Sequence, residues 1–161
     1  MICEICTILK NPSSDELTLR IEDGEFWHTT LRLDQEYLGT VFITAKRHVA
    51  SLPDVTAAEE REFIAMRNRI IRAQMQEFGA KVVNVSCLMN HAFTAEGGSS
   101  PHVHYHLKPR YAQPIERFGR TFVDRQFGSY IKEKYSNVVD NETAREIVAV
   151  LRTAIENEQC E

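Results

Sequence analysis

Three histidines that alternate with other residues over one short segment constrain this chain more than any other feature. His102, His104 and His106 are separated by one valine and one tyrosine. Side chains of a strand point alternately to its two faces, so a strand over 102–107 places all three imidazoles on one face. A row of imidazoles is costly to bury without partners, which means that it is either exposed or engaged in chemistry.

A glycine- and serine-rich loop leads directly into this strand. Residues 97–100 have the sequence Gly-Gly-Ser-Ser. Such a loop can offer backbone N–H groups and hydroxyls to an anion beside the imidazoles. The loop and the strand together predict a phosphate site with a nucleophile. The alternative is a chance cluster of surface histidines on an edge strand, which leaves the loop unexplained.

The segment His-Val-His-Tyr-His-Leu-Lys resembles the signature of the histidine triad, or HIT, superfamily of nucleotide hydrolases and transferases. Lys108 departs from that signature at its last apolar position. The Pro-Arg-Tyr that follows resembles the branch of the superfamily that hydrolyses dinucleoside polyphosphates. The resemblance covers about residues 3–111, where the order of cysteine pair, strand meander, Lys-x-His, helix, strand, glycine-rich loop and histidine strand is also similar.

The resemblance implies specific roles for the histidines and for the loop. His104 is implied as the nucleophile that attacks the α-phosphorus of a nucleotide and forms a nucleotidyl-histidine intermediate, and neutral imidazole suits that role at physiological pH. His106 is implied as a contact to phosphate or an aid to the leaving group. Asn90, Gly98 and Ser99 are implied as substrate contacts. Gly98 falls where the family often has Gln, so one amide contact to phosphate is lost.

Other polar residues have less decisive interpretations. Asn90 is either a substrate contact or an ordinary loop turn. The acidic or amide residue that binds ribose in the family falls on Arg32, which departs from the pattern. His28 and His91 have no partner by spacing. We interpret His28 as an ordinary, partly buried strand residue and His91 as a loop residue able to reach the site.

The resemblance also implies a metal site that joins the N-terminus to the histidine strand. Cys3 and Cys6 form a C-x-x-C pair, and with His48 and His102 they match the ligands by which some bacterial HIT proteins hold structural zinc. Two thiolates and two imidazoles suit tetrahedral Zn²⁺. Four protein ligands leave no position for an activated water, so this zinc is architectural and His104 stays free. The alternative is an unmetallated cysteine pair with His48 near the substrate.

The periodicities along the chain predict an α+β fold with a HIT-like antiparallel sheet of about five strands. The predicted strands are 17–21, 26–33, 39–44, 82–88 and 102–107, the last closed by Pro109. Thr56 and Glu59 form a capping box that begins a long helix, and Gly79 ends it. Asn141 or Asp140 caps a final amphipathic helix, which gives the sheet a C-terminal helical extension.

Length and composition indicate one soluble domain. Of the 161 residues, 43% are hydrophobic and 26% are charged, which is ordinary for a globular chain of this size. We expect residues 1–111 to form the HIT-like catalytic domain and residues 112–161 to be an extension packed on the same domain. The net charge of -4 disfavours a general nucleic-acid partner, and no apolar run approaches the ~20 residues that span a bilayer. Scattered cysteines and an N-terminus without an export signal predict the cytoplasm.

The resemblance implies a hydrolase that cleaves a phosphoanhydride at the α-phosphate of a nucleotide. The resemblance implies dinucleoside polyphosphates such as diadenosine tetraphosphate as substrates, and a homodimer as the oligomeric state. Three alternatives are open: a nucleoside phosphoramidase or nucleotidylyl transferase, a sensor or scaffold that binds AMP-like ligands without turnover, and a zinc-stabilised interaction module. An unblocked His104 disfavours the sensor, and the interaction module leaves the Gly-Gly-Ser-Ser loop unexplained.

Overall fold

An antiparallel sheet of five strands is the centre of the protein in this computed structural model, which describes residues 2–93, 98 and 100–158. The strands are β1 (Arg20–Asp23), β2 (Trp27–Leu31), β3 (Val41–Ala45), β4 (Val82–Ser86) and β5 (His104–Arg110). Their spatial order is β1-β2-β3-β5-β4, so the histidine strand β5 lies inside the sheet, between β3 and β4. The helices are α1 (Glu4–Lys10), α2 (Ser14–Thr18), α3 (Ala57–Phe78) and α4 (Asn141–Glu158).

The long helix α3 begins and ends where its capping residues predict. The Thr56 hydroxyl accepts from the Glu59 N–H at 3.3 Å, and the Glu59 carboxylate accepts from the Thr56 N–H at 2.7 Å. Gly79 ends the helix with φ at 73°, a left-handed conformation that glycine adopts without strain. The capping box and the terminal glycine predicted for this helix are confirmed.

One face of the sheet packs against α3 through aromatic side chains. Phe63 of α3 stacks on Tyr105 of β5, with 4.0 Å between ring centroids, and lies 5.3 Å from the ring of Trp27. Tyr105 lies between His104 and His106 in the strand. Because successive side chains point to opposite faces, packing of this tyrosine against α3 directs both imidazoles to the other face of the sheet.

The first predicted strand begins too early, because residues 14–18 form the short helix α2. The Ser13 hydroxyl accepts from the Glu16 N–H at 3.2 Å, and the Glu16 carboxylate accepts from the Ser13 N–H at 2.7 Å. These reciprocal hydrogen bonds start a helix in a segment whose apolar alternation suggested a strand. Leu17, which was assigned to that strand, is exposed on α2, and the strand itself begins at Arg20.

The histidine strand begins later than predicted and continues through Pro109. Hydrogen-bonded pairing starts at His104, and His102 lies in the segment just before it. Pro109 lies opposite Val83 of β4, whereas pairing with β3 ends at Leu107. A proline lacks only its N–H, so it is accommodated where the strand has a neighbour on one side alone.

The chain after residue 111 adds a hairpin and the final helix. Strands β6 (Ile115–Arg117) and β7 (Arg120–Phe122) pair with each other, a hairpin that no periodicity predicted. Asp140 caps α4, since its carboxylate accepts from the Thr143 N–H at 2.8 Å. The buried face of α4 joins the same hydrophobic cluster as α3 and the sheet.

The predicted α+β class, with its five-stranded antiparallel sheet, long helix and C-terminal helix, is confirmed. None of the helices in the described part of the chain combines the length and the apolar character needed to cross a lipid bilayer.

Candidate active site

The sheet face opposite α3 carries the residues of the site in two rows that run across the strands. The first row is His28, Thr44 and His104, and the second row is Thr30, Phe42 and His106. Residues directly opposite each other on neighbouring strands share a face. His104 and His106 therefore lie side by side, with 5.0 Å between their ring centroids.

His104 is held in an orientation that leaves one ring nitrogen for chemistry. Its Nδ1 lies 2.8 Å from the carbonyl oxygen of His102. A carbonyl oxygen only accepts, so Nδ1 carries the proton and Nε2 carries the lone pair. The half-buried ring lines a cavity of about 710 Å³. This is the tautomer that a nucleophilic imidazole requires.

His106 is neutral at physiological pH because of its surroundings. The ring packs edge-on against Phe42, with 4.8 Å between centroids. Burial lowers the pKa of His106 to about 4, and electrostatic interactions with His104, Lys108 and Arg32 act in the same direction. Neither of its ring nitrogens has a hydrogen-bond partner among the described residues. A neutral imidazole can donate one hydrogen bond and accept another.

Gly98, just before the histidine strand, lies against the 3₁₀ turn Asn90–Phe93. A Cβ atom added at Gly98 would clash with the carbonyl oxygen of Ala92. The position therefore requires glycine, and the glutamine that the resemblance implies there does not fit this backbone. Asn90 and Gly98 both line the cavity. Ser99, the third expected contact of this region, lies outside the described residues, as does the side chain of His91.

The four residues expected to bind zinc come together at the start of α1. Their ligand atoms all lie within 4.8 Å of one another. The Nδ1 of His102 is 3.4 Å from the Sγ of Cys3 and 3.5 Å from that of Cys6, and the Nδ1 of His48 is 3.4 Å from the Sγ of Cys6. Typical zinc bond lengths and tetrahedral angles separate sulfur from nitrogen by about 3.5 Å. The cluster is therefore compatible with a zinc ion.

Local hydrogen bonds orient both the cysteines and the histidines of this cluster. The Sγ of Cys3 caps α1 by accepting from the N–H of Cys6, so the first turn of the helix brings the two sulfurs together. The Nε2 of His102 donates to the Ala45 carbonyl at 2.8 Å, and the Nε2 of His48 lies 3.3 Å from the Ser100 hydroxyl. Metal-binding imidazoles are commonly oriented by such a bond at the second nitrogen.

The cavity extends from the histidine rows to the N-terminal helices. Ile5, Ile8 and Leu9 of α1 supply apolar lining, Glu4 and Glu16 supply carboxylates, and His28 lines the cavity from β2. The sequence interpretation of His28 as an ordinary strand residue missed this position. Alternation showed which residues of β2 share a face, but only the register with β3 and β5 places that face in the cavity.

Arg32, which falls at the ribose-binding position of the resemblance, is engaged in structural contacts. Its guanidinium donates to the Asp34 carboxylate at 3.2 Å, and the other oxygen of Asp34 accepts from the Asn137 N–H at 2.9 Å. These contacts tie the end of β2 to the segment before α4.

Solved structures show which fold this is, although no protein-family model and no curated protein sequence matches the chain. A zinc-bound histidine triad family protein from Mycobacterium smegmatis superimposes with a TM-score of 0.65 at 22% identity, over 99% of this chain and 97% of that one. A hypothetical histidine triad nucleotide-binding protein from Sulfolobus tokodaii gives 0.70 at 14% identity, over 98% and 94%. The chain has the histidine triad fold.

The histidine triad fold is shared with a characterised hydrolase. The diadenosine triphosphate hydrolase of Plasmodium falciparum, solved with cyclomarin A, superimposes with a TM-score of 0.60 at 12% identity, over 91% of this chain and 80% of that one. The Mycobacterium and Sulfolobus matches extend over nearly the whole chain. The residues that follow the histidine strand therefore also have counterparts in solved histidine triad structures.

Proposed function

We propose that the protein is a nucleotide hydrolase in which His104 attacks the α-phosphorus and is transiently nucleotidylated. The observation that carries the proposal is the 2.8 Å contact between the Nδ1 of His104 and the carbonyl oxygen of His102. That contact leaves the Nε2 lone pair available on a ring that lines the cavity. The shared fold with a diadenosine triphosphate hydrolase supports the same reaction class.

The reaction proceeds by two displacements at phosphorus. The Nε2 of His104 forms a bond to the α-phosphorus while the bond to the bridging oxygen breaks, and the leaving phosphate takes that electron pair. Water then attacks the same phosphorus, the bond to Nε2 breaks with its electron pair returning to nitrogen, and the proton of the water passes to solvent. His106, neutral and adjacent, donates a hydrogen bond to phosphate oxygen in both steps.

Dinucleoside polyphosphates such as diadenosine tetraphosphate are the substrates that we propose. A nucleoside phosphoramidase or nucleotidylyl transferase is the second candidate, and one observation favours it. Gly98 lines the cavity but has no side-chain amide to offer to a leaving phosphate, and its contact with Ala92 excludes any side chain there. A smaller leaving group, such as an amine, does not need that contact.

Zinc bound by Cys3, Cys6, His48 and His102 forms part of the proposal as a structural element. When bound, the ion supplies a cross-link with four protein ligands and no open position for water. His102 carries both a ligand nitrogen and the carbonyl that orients His104. The cross-link thereby holds the backbone on which the orientation of the nucleophile depends.

We also propose a homodimer that works in the cytoplasm. Strand β4 is an edge of the sheet, and its Val82 and Val85 side chains are exposed. An edge strand with exposed β-branched residues is a surface that a second copy of the chain can cover. Cys3, Cys6 and Cys87 form no disulfide, which suits a reducing compartment. Light scattering on a chromatography column measures the oligomeric state directly.

The decisive experiment compares the wild type with His104→Asn. Both proteins are incubated with diadenosine tetraphosphate, diadenosine triphosphate and adenosine phosphoramidate, and AMP release is followed. We expect the variant to lose at least ~10⁴-fold of the rate, as removal of a nucleophile typically does. Acid quenching followed by peptide mass spectrometry detects a nucleotidyl group on the His104 peptide of the wild type alone.

Each result has a distinct meaning. Turnover that survives in a folded His104→Asn protein contradicts the covalent mechanism. Hydrolysis of the phosphoramidate without the polyphosphates selects the second candidate. Binding of AMP by the wild type without turnover of any substrate makes the protein a sensor and contradicts the hydrolase.

A further inference from the structure

His28 is a buried polar residue in the cavity wall for which the mechanism above has no use. Its side chain lies on β2, and the residue is 4% exposed. In the first polar row it is separated from His104 by Thr44 alone. Two strand spacings, roughly 10 Å, therefore separate the backbones of His28 and His104. A nucleoside whose α-phosphorus lies at His104 can place its base at that distance.

The imidazole of His28 has unused hydrogen-bonding capacity. Its Nδ1 is buried without a hydrogen-bond partner among the described residues. Such a nitrogen is costly to bury unless a partner is supplied. Because the ring of His28 lines the cavity, a bound ligand is placed to contact it, and the covered Nδ1 becomes reachable when the ring turns toward that ligand.

The surroundings of His28 keep its ring neutral. Burial lowers the pKa of His28 to about 4, Arg20, Lys46 and His102 act in the same direction, and Asp23 opposes them. In the neutral ring one nitrogen donates and the other accepts. The ring therefore matches a ligand that presents hydrogen-bonding groups and carries no charge of its own at this point.

Part of the cavity lining is apolar. Ile5, Ile8 and Leu9 of α1 line the same cavity, and aliphatic surfaces of this kind bury flat rings. A planar heterocycle with donors and acceptors along its edge satisfies both the apolar lining and the unpartnered imidazole. The nucleobase of a nucleotide has this chemistry.

We propose that His28 is a specificity-determining residue that hydrogen-bonds the polar edge of the substrate's nucleobase. The inference rests on the proposed function and deepens it, because it assigns base discrimination to one side chain on β2. A site that hydrogen-bonds a polar edge rejects a ligand that lacks the matching group, because its own buried groups are then left unpaired.

The test measures kcat/KM for four dinucleoside tetraphosphates that carry adenine, guanine, cytosine or uracil. We expect the wild type to prefer one base, and His28→Leu to reduce the ratio between the best and the worst base by about 10-fold, mainly through KM. His28→Gln keeps one donor and one acceptor and is expected to retain part of the preference. Ile8→Ala is the matched control, since it removes apolar contact and lowers kcat/KM for all bases alike.

An NMR measurement on the wild type tests the inference even if a His28 variant does not fold. The ¹⁵N signals of the His28 imidazole are recorded as AMP is added, and a direct hydrogen bond shifts one of them. No shift on saturation with AMP overturns the inference for adenine, and the same titration with GMP, CMP and UMP extends the result to the other bases.

The failures of the two proposals are distinguishable. If nucleotides are turned over but the base ratio is the same in wild type and His28→Leu, or the wild type has no base preference, the assignment of His28 is wrong. If His28→Leu lowers kcat equally for all bases, its role is structural, which also overturns the assignment. If no nucleotide is bound or hydrolysed by the wild type, the proposed function fails as well.

Discussion

The carbonyl oxygen of His102 lies 2.8 Å from the Nδ1 of His104, while the Nδ1 of His102 itself lies within 3.5 Å of two cysteine sulfurs. One residue thus joins the candidate metal cluster to the candidate nucleophile. The side chain of His102 is directed to the cysteines and its backbone orients the next imidazole along the strand. We therefore expect changes in the metal cluster to alter the reaction rate, because His102 links the cluster to the orientation of His104.

Loss of a cysteine ligand is expected to lower the zinc content and the stability together. For Cys6→Ser we expect less than one bound zinc per chain and a free energy of unfolding that is lower by several kcal/mol, because metal binding contributes directly to folding. Elemental analysis and urea denaturation measure the two effects. Cys87→Ser is the control, since Cys87 is a free cysteine outside the cluster. Full zinc content in Cys6→Ser would contradict the proposed ligand set.

The buried ion pair between Arg110 and Asp124 is expected to be a main attachment of the C-terminal segment. The guanidinium donates to both carboxylate oxygens, at 2.6 and 3.0 Å, and the two side chains are 5% and 0% exposed. Asp124→Ala leaves a buried charge without a partner, so we expect the free energy of unfolding to fall by about 3–5 kcal/mol. Urea denaturation at neutral pH measures this loss.

The exposed pair of Lys46 and Asp23 is the matched control for that measurement. Its atoms lie 2.8 Å apart, but the Asp23 side chain is 48% exposed. Exposed ion pairs contribute at most about 1 kcal/mol, so Asp23→Ala is expected to change stability little. Equal losses in the two variants would show that the buried pair has no special role.

The sequence predicted those parts of the protein that depend on local rules. The alternation of His104 and His106, the capping box at Thr56 and the glycine at residue 79 all follow from neighbouring residues. The cavity position of His28 depends instead on the register between strands that are distant in the chain. Local periodicity carries no information about that register, and for this reason His28 was assigned an ordinary role.

The hairpin of β6 and β7 escaped prediction for another physical reason. Each of its strands has three residues, too few for an alternation to be recognised. Its turn contains Phe118 with φ at 56° and Gly119 with φ at 64°, and left-handed backbone is unusual for phenylalanine. The candidate metal cluster was predicted through the family resemblance, because residue types alone do not show that the cysteine pair meets His48 and His102.

Substitution of Gly98 is expected to impair substrate binding more than folding. A Cβ atom there meets the carbonyl oxygen of Ala92, so Gly98→Ala has to move Gly98 and Ala92 apart, and both residues line the cavity. We expect KM to rise by about 10-fold while the midpoint of thermal unfolding changes little, since neither residue belongs to the hydrophobic core cluster. Steady-state kinetics and calorimetry separate the two effects.

Gly79→Ala is the control, because it is expected to lower stability and to leave KM unchanged. Gly79 ends α3 with φ at 73° and has open space around its Cα. Alanine is strained in that conformation, so we expect a loss of about 1 kcal/mol in stability with an unchanged KM. A Gly98→Ala protein with the wild-type KM would contradict the close approach of Gly98 to Ala92.

The pH dependence of stability is expected to reveal the buried imidazole of His28. Its pKa is about 4 in the folded protein and about 6.5 when unfolded. Between these values the unfolded state binds more protons than the folded state, so acidification through this window favours unfolding. Removing the imidazole in His28→Leu abolishes this contribution. The free energy gained by the variant relative to wild type is therefore expected to be larger at pH 5 than at pH 7.5, by about 2 kcal/mol.

Urea denaturation of both proteins at the two pH values measures this difference. Protonation of the cysteine and histidine metal ligands acts on both proteins alike, so it cancels in the comparison. Arg20, Lys46, Asp23 and His102 face His28 and are unchanged in the variant. An equal effect of the substitution at pH 5 and pH 7.5 would mean that His28 protonates with its ordinary pKa, and the ring would then be open to solvent rather than held neutral against the cavity.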